Sequence, residues 1–274
     1  MIKVSVYILI IAVAVSCSKS NGTQTGSSTT TTTPPPAPAA KTPDQVLDLS
    51  HWTLTIPIDA SNGTTGKAVT ITTASLLAGY TSSYFYVSAD TGVVFWSPVN
   101  GATTSGSTHP RSELREVLKP TDNSVDWYWN TPSKLSAVLA VNEVPTDTGK
   151  VVVGQIHGYS VDVPMVLIFY NYNTTTKTAT VYAGVHNASD TQAKDYTLAT
   201  NIALNQRFSY ELDVTAQAKL NMYVNNATPV VVSIDSSWNG ASLYYKAGNY
   251  VQDHGSSLTD GGQVTFYQLS ASHN

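Results

Sequence analysis

Three short runs hold side chains whose types and spacing suit proton transfer on an anionic substrate. The first is Arg111-Ser112-Glu113-Leu114-Arg115-Glu116-Val117. Strand alternation puts Arg111, Glu113 and Arg115 on one face, with Ser112, Leu114 and Glu116 on the other. A carboxylate between two guanidiniums braces both forks and leaves donors for an incoming carboxylate. A solvated edge strand with surface ion pairs would show the same pattern. The second run is Val151-Val152-Val153-Gly154-Gln155-Ile156-His157-Gly158. Alternation predicts Val151, Val153, Gln155 and His157 on one face, so an apolar strand ends in an amide and an imidazole. Imidazole ionises near neutrality and serves as a base without large tuning. A histidine satisfied inside a core is the plainer reading of that run. The third is Tyr244-Tyr245-Lys246-Ala247-Gly248-Asn249-Tyr250-Val251-Gln252. Tyr244, Lys246, Gly248, Tyr250 and Gln252 share a face, with a glycine gap where another chain can approach the backbone. Cations beside a tyrosine lower its pKa and fit it to give or take a proton. An amphipathic outer strand is the alternative here.

The elements that must position these residues read as strands. Trp52–Ile56, Lys134–Val141, Phe208–Val214 and Val264–Leu269 largely alternate in polarity or size. Asn62-Gly63, Asn100-Gly101 and Asn239-Gly240 are turn signals. Asn225-Asn226, between Leu220–Val224 and Val230–Ile234, predicts a hairpin. Helical periodicity is weak, with Thr73 to Gly79 the one stretch that reads as a helical turn or two. Residues 44–274 therefore predict a single all-β domain, a β-jelly roll sandwich whose concave face makes a groove for an extended polymer.

Charge and cysteine content remove other classes. The chain has 274 residues, 14 Lys and Arg against 18 Asp and Glu, and one cysteine. One cysteine forms no internal disulfide and no Cys-based zinc or iron–sulfur site. No histidine has the close ligand spacing of a metal site, so neither metal nor cofactor is expected. The acidic balance argues against nucleic acid as a partner. All 18 acidic residues lie in 44–274 with 11 basic ones, a net of −7. Only Arg111, Arg115 and Arg207 are arginines there, and two of the three fall in one run.

The N-terminus reads as an address. Lys3 precedes a mostly apolar stretch, Val4 to Val15, too short for a membrane-spanning helix. Ala14-Val15-Ser16-Cys17 satisfies the small-x-small cleavage rule and also resembles a bacterial lipobox with Cys17 as the lipidated residue. Residues 1–16 are thus expected to be a signal peptide, leaving a secreted protein or a cell-surface or outer-membrane lipoprotein of a bacterium. Residues 17–43 form a Ser/Thr/Pro-rich linker. From Ser18 to Pro43 it holds no Val, Ile, Leu, Met or aromatic residue, so it cannot offset its chain entropy by burial.

Taken together, the three runs resemble the alginate lyases of polysaccharide lyase family 7, whose pattern is R-[ST]-E-L-R, Q-[IV]-H and Y-x-K-A-G-x-Y-x-Q in that order. Asp48–Pro57 and Val264–Tyr267 resemble the family's first and last strands, so the resemblance spans about residues 44–274. Tyr245 stands where phenylalanine is usual. The resemblance implies Arg111, Gln155, His157 and Tyr250 as catalytic residues. It implies Arg115 and Lys246 along the cleft; Glu113 and Gln252 are expected to join them as substrate-binding residues. The implied partner is alginate, a polymer of 1,4-linked uronates, cleaved by a monomer without a cofactor. Ile156 in the Q-I-H motif implies a lean towards guluronate-containing blocks. His109 precedes Arg111 at the expected cleft border, and the loops Ser97–Thr108 and around His186 are candidates to overhang the groove.

Two other functions compete. A glycoside hydrolase would need two carboxylates flanking the scissile bond, and the domain's four glutamates (Glu113, Glu116, Glu143, Glu211) form no recognisable hydrolase pair. A non-catalytic carbohydrate-binding module fits the aromatics and the linker but not the Arg, Gln, His and Tyr set. A lyase for another polyuronate, such as glucuronan, is the nearest rival among enzymes.

Overall fold

The computed structural model describes residues 41–61, 67–159, 161–189 and 191–274. The expected signal peptide, Cys17 and most of the linker, as well as the Asn62-Gly63 turn, lie outside the described residues. The described chain begins just before the expected domain. Thr42 caps a 3-10 turn at Pro43–Gln45, and Pro43 is buried. Pro43 thus belongs to the domain and not to the linker.

Sixteen strands follow among the described residues: β1 (Trp52–Asp59), β2 (Ala68–Ile71), β3 (Phe85–Val87), β4 (Val93–Pro98), β5 (Arg111–Glu116), β6 (Trp127–Tyr128), β7 (Ser133–Glu143), β8 (Lys150–Tyr159), β9 (Pro164–Asn173), β10 (Thr178–Val185), β11 (Lys194–Ile202), β12 (Phe208–Val214), β13 (Lys219–Val224), β14 (Val230–Ser233), β15 (Ser242–Val251) and β16 (Gly261–His273). They form two antiparallel sheets. One runs β11-β10-β9-β8-β15-β5-β1-β2, with β6 added beside β15; the other runs β14-β13-β12-β7-β16-β4-β3. This is the jelly roll that the strand pattern predicts. The predicted strands all form, several of them longer than the alternation alone marks out. The helical stretch is a five-residue helix, Thr73–Leu77, capped by Thr72, whose hydroxyl accepts from Ser75 N. The β13–β14 hairpin turns through Asn225 and Asn226 at φ 52° and 55°, left-handed values that asparagine tolerates.

The core fills the space between the sheets. Phe85, Phe95 and Phe266 meet edge to face at 5.0 and 5.2 Å. Tyr210 of β12 crosses the core to donate its hydroxyl hydrogen to Val153 O of β8 at 3.1 Å. Its ring occupies the space that a side chain at Gly154 would need. A second link joins the sheets behind the first sequence run. Glu116 of β5 is 1% exposed and accepts from Trp127 Nε1 (3.0 Å), Tyr245 N (3.0 Å) and His273 Nε2 (2.8 Å). His273 lies in β16 of the opposite sheet, and its Nδ1 meets Ser133 Oγ at 2.9 Å.

Two irregularities set which side chains face the groove. The β8–β9 register slips between Val152 and Gly154, and the β8–β15 register slips between Ala247 and Tyr250. Simple alternation therefore fails along β8. Val151 and Val153 join the buried core with Ile156, whereas Gln155 and His157 line the cleft. The expected common face of Val151, Val153, Gln155 and His157 is corrected by this bulge. On β15 the irregularity falls at Gly248 (φ 147°) and Asn249. A Cβ at Gly248 would sit 2.7 Å from Ser112 O and 2.8 Å from Glu113 Cα, so the glycine gap admits the neighbouring backbone. Gly248→Ala is expected to cost about 2–3 kcal/mol by overpacking and backbone strain. A urea titration measures it.

Candidate active site

The three sequence runs lie on the adjacent strands β8, β15 and β5. Cross-strand register pairs Tyr250 with Arg111, Gly248 with Glu113 and Lys246 with Arg115; on the other side it pairs Lys246 with Gln155 and Tyr244 with His157. Their outward side chains, with the loop residues Thr104–Ser107, line a cleft of about 330 Å³.

Glu113 is the electrostatic centre. It is 1% exposed. Its Oε2 accepts from Arg111 Nη1 at 2.9 Å and meets Lys246 Nζ at 2.5 Å, and its Oε1 accepts from Gln155 Nε2. Burial opposes ionisation, but the charges of Lys246 and then Arg111 outweigh it and hold the carboxyl below its ordinary pKa. Two expectations change. Glu113 braces Arg111 and Lys246, not two arginines. It is not a substrate-binding group, because it lies beneath the cleft with both oxygens engaged. Its role is to hold three cleft side chains.

Arg111 stacks over Tyr250, its guanidinium carbon 3.8 Å from the ring centroid. Its Nη2 donates to Ser107 Oγ at 2.9 Å, and its Nε is buried without a partner. One N–H on each Nη remains beyond those given to Glu113 and Ser107, and these are the donors Arg111 can offer an anion in the cleft. Arg115 differs. Nη1 donates to Glu116 O (2.7 Å), and Nη2 to Asn123 O (2.8 Å) and Asp126 Oδ2 (3.0 Å). Its guanidinium lies flat on Tyr244 at 3.8 Å. The expected role of Arg115 as an anion reader is corrected: its fork is committed to protein groups, and it supports the cleft wall from behind Tyr244.

His157 Nδ1 meets Gly158 O at 2.9 Å. A carbonyl only accepts, so Nδ1 bears the hydrogen and Nε2 keeps its lone pair. Burial chiefly, with Lys246 and Arg111 adding to it, lowers its pKa to about 4. The imidazole is neutral at pH 7. Burial, reinforced by Arg111, also lowers Lys246 to about 8 despite its contact with Glu113. Tyr250 Oη lies 3.1 Å from Ser107 Oγ. Ser107 Oγ also accepts from Arg111 Nη2 and His109 N and lies 3.0 Å from His109 O. The His109 ring stands edge-on to Tyr250, 6.1 Å between centroids. Gln252 also lines the cleft, with Nε2 donating weakly to Val251 O (3.3 Å) and Tyr250 O (3.4 Å).

Three contributors fall outside the predicted site set. Tyr244 belongs to the third run, and its ring stacks on His157 at 5.6 Å and 17°. Ser107 lies in the predicted overhanging loop, where composition shows small polar residues but no shape. Asp126 lies in the β5–β6 connection and has no motif around it.

A neutral imidazole, a phenol and a guanidinium are gathered over a jelly-roll sheet, and the chain's likeness to known proteins makes it a polysaccharide lyase. The alginate lyase family profile matches residues 47–273. An alginate lyase from Klebsiella pneumoniae is 31% identical, with 86% of this chain and 92% of that protein aligned. The crystal structure of alginate lyase PA1167 from Pseudomonas aeruginosa superposes with a TM-score of 0.75 at 36% identity, covering 83% of this chain and all of the other. Alginate lyase A1-II′, a member of polysaccharide lyase family 7, also gives 0.75, at 32% identity over 85% of this chain and 99% of the other. The chain belongs to the alginate lyases of polysaccharide lyase family 7.

Glu113 gives a test of the buried cluster. Its lowered pKa contributes stability above the ordinary glutamate value of 4.5, and that contribution is lost as pH falls through the folded value. Glu113→Gln strands Arg111 and Lys246, so it is expected to cost about 3–5 kcal/mol at neutral pH. The deficit should narrow below pH 4.5 in urea titrations of both proteins.

Proposed function

We propose that the enzyme cleaves alginate by β-elimination and favours guluronate-containing blocks, with Arg111, Gln155, His157 and Tyr250 as its catalytic residues. The observation that supports this most is the neutral His157, set in one cleft with Tyr250 and the Arg111 guanidinium. Arg111 and Gln155 hold the uronate carboxylate and disperse charge as it builds towards an enolate. His157 Nε2 takes the C5 proton. The C5–H electron pair forms the C4=C5 double bond, the C4–O4 bond breaks, and Tyr250 protonates O4. The products are a new reducing end, on which the departing oxygen remains as the C1 hydroxyl, and a 4,5-unsaturated sugar. In guluronate H5 and O4 lie on opposite faces, so base and acid must be two groups. In mannuronate they share a face, and Tyr250 alone serves both roles.

Ile156 supports the guluronate lean through the family pattern, although it faces the core. One relative, A1-II′, has a solved complex described as holding product GGG, and another described as holding substrate GGMG. Residues 1–16 are proposed as a signal peptide and Cys17 as a lipid anchor that leaves the enzyme on the cell surface. Mass spectrometry of the mature N-terminus is expected to find an acylated Cys17.

Activity is tested by following ultraviolet absorbance of the unsaturated product on poly-guluronate, poly-mannuronate and glucuronan. A rise on the two alginate blocks, faster on poly-guluronate, is expected. Reducing ends without absorbance would mean hydrolysis instead. Tyr250→Phe keeps the ring but removes the proton donor, so kcat should fall at least about 100-fold with binding largely retained. His157→Ala should lower kcat more on poly-guluronate than on poly-mannuronate. Equal losses would assign His157 to carboxylate binding. KM should rise above pH about 8, where Lys246 loses its charge.

A further inference from the structure

We propose that Asp126 is a positioning residue for His157, acting through Arg115 and Tyr244. The inference rests on the reading of His157 as the base and deepens it. The contacts are continuous. Asp126 Oδ2 meets Arg115 Nη2 at 3.0 Å. The Arg115 guanidinium covers one face of Tyr244 at 3.8 Å, and the Tyr244 ring packs nearly parallel to His157. Among the described residues the imidazole has a single hydrogen bond, from Nδ1 to Gly158 O. That bond fixes one ring atom and leaves the plane free to rock about it. The Tyr244 ring removes that freedom, because stacking sets the plane and so the direction of Nε2. Tyr244 can do so only if it is itself backed, and Arg115 is the group behind it. A guanidinium stacks with its face and hydrogen-bonds in its own plane, so in-plane acceptors fix where it lies on the ring. Glu116 O, Asn123 O and Asp126 Oδ2 satisfy them, and Asp126 is the charged member of the three.

The surroundings of Asp126 make this link sensitive to pH. Its side chain is fully enclosed, and among the described residues Oδ1 has no hydrogen-bond partner. Arg115 faces it as the one compensating cation, while Glu116 and Asp122 oppose its charge, and Tyr244 lies beyond Arg115. Asp122 is itself paired with Lys119 at 3.7 Å. Burial raises the Asp126 pKa to about 6, against the pull of Arg115. As pH falls through that value the carboxyl takes up a proton, the ion pair weakens and Arg115 is freed from its plane. His157 takes up its own proton only near 4. The intervening pH range therefore separates a loss of alignment from a loss of base.

The experiment compares wild type with Asp126→Asn, which keeps the shape and removes the charge. Both are assayed on poly-guluronate by product absorbance across about pH 5–7. Wild type is expected to show an acid limb in kcat near pH 6. Asp126→Asn is expected to lose kcat about 10- to 100-fold at neutral pH, as for a misaligned reacting group. Its KM should stay within about two-fold of wild type, and its profile should be flat across the same range. Asp126→Glu should recover much of the activity. Should Asp126→Asn fail to fold by circular dichroism, Arg115→Lys tests the same link, because it keeps the charge and loses the planar fork. An unchanged kcat in the folded variant, or an acid limb that persists in Asp126→Asn, overturns the proposal. Failure of the underlying lyase reading looks different: wild type itself would then form no unsaturated product.

Discussion

The Glu113 carboxylate is shut away from water in the middle of the groove sheet and touches three cleft side chains at once. An isolated buried charge is costly, and this one is tolerated because Arg111, Lys246 and Gln155 converge on it. The convergence works in both directions. The same contacts that make Glu113 tolerable fix the heads of two cations and an amide from three different strands. Gly248 is the backbone counterpart of that arrangement, because it stands directly across from Glu113 and leaves room for the neighbouring strand. The cleft is therefore ordered from underneath, by a group shut away from the surface.

This also resolves an apparent conflict of charge. A domain of net charge −7 acts on a polyanion. Arg111 and Lys246 share one buried carboxylate, so local balance in the floor differs from the balance of the whole surface. Arg111 lines the cleft with Nη hydrogens beyond those given to Glu113 and Ser107, and those donors, not the net charge, are what suits an approaching carboxylate.

Much of this was legible in the residues. Strand alternation located the main strands, and the same alternation put Arg111 with Glu113, and Lys246 with Tyr250, on shared faces. It failed on β8, where a bulge sends Val153 to the core while Gln155 and His157 face the cleft; a bulge has no period to read. The pairing of Glu113 was misread because two neighbours two residues away along one strand were visible and a lysine from the adjacent strand was not. Only the β5–β15 register reveals that Lys246 reaches Glu113 while Arg115 turns to Asp126. Ser107 and Asp126 were invisible for a related reason. Both act from loops, where side-chain direction follows from tertiary closure and not from a repeat.

The link between Glu116 and His273 extends these constraints to the far side of the molecule. Glu116 ends the strand that begins with Arg111, and it also accepts from the backbone of Tyr245, next to Lys246. Its histidine partner comes from the opposite sheet. The strands beneath the cleft are thus fastened from behind by the last strand described. Those three strands are not a transplantable module: grafted onto another sheet, they would bring Glu116 without the partner that satisfies it. The site is in this sense a property of the closed sandwich.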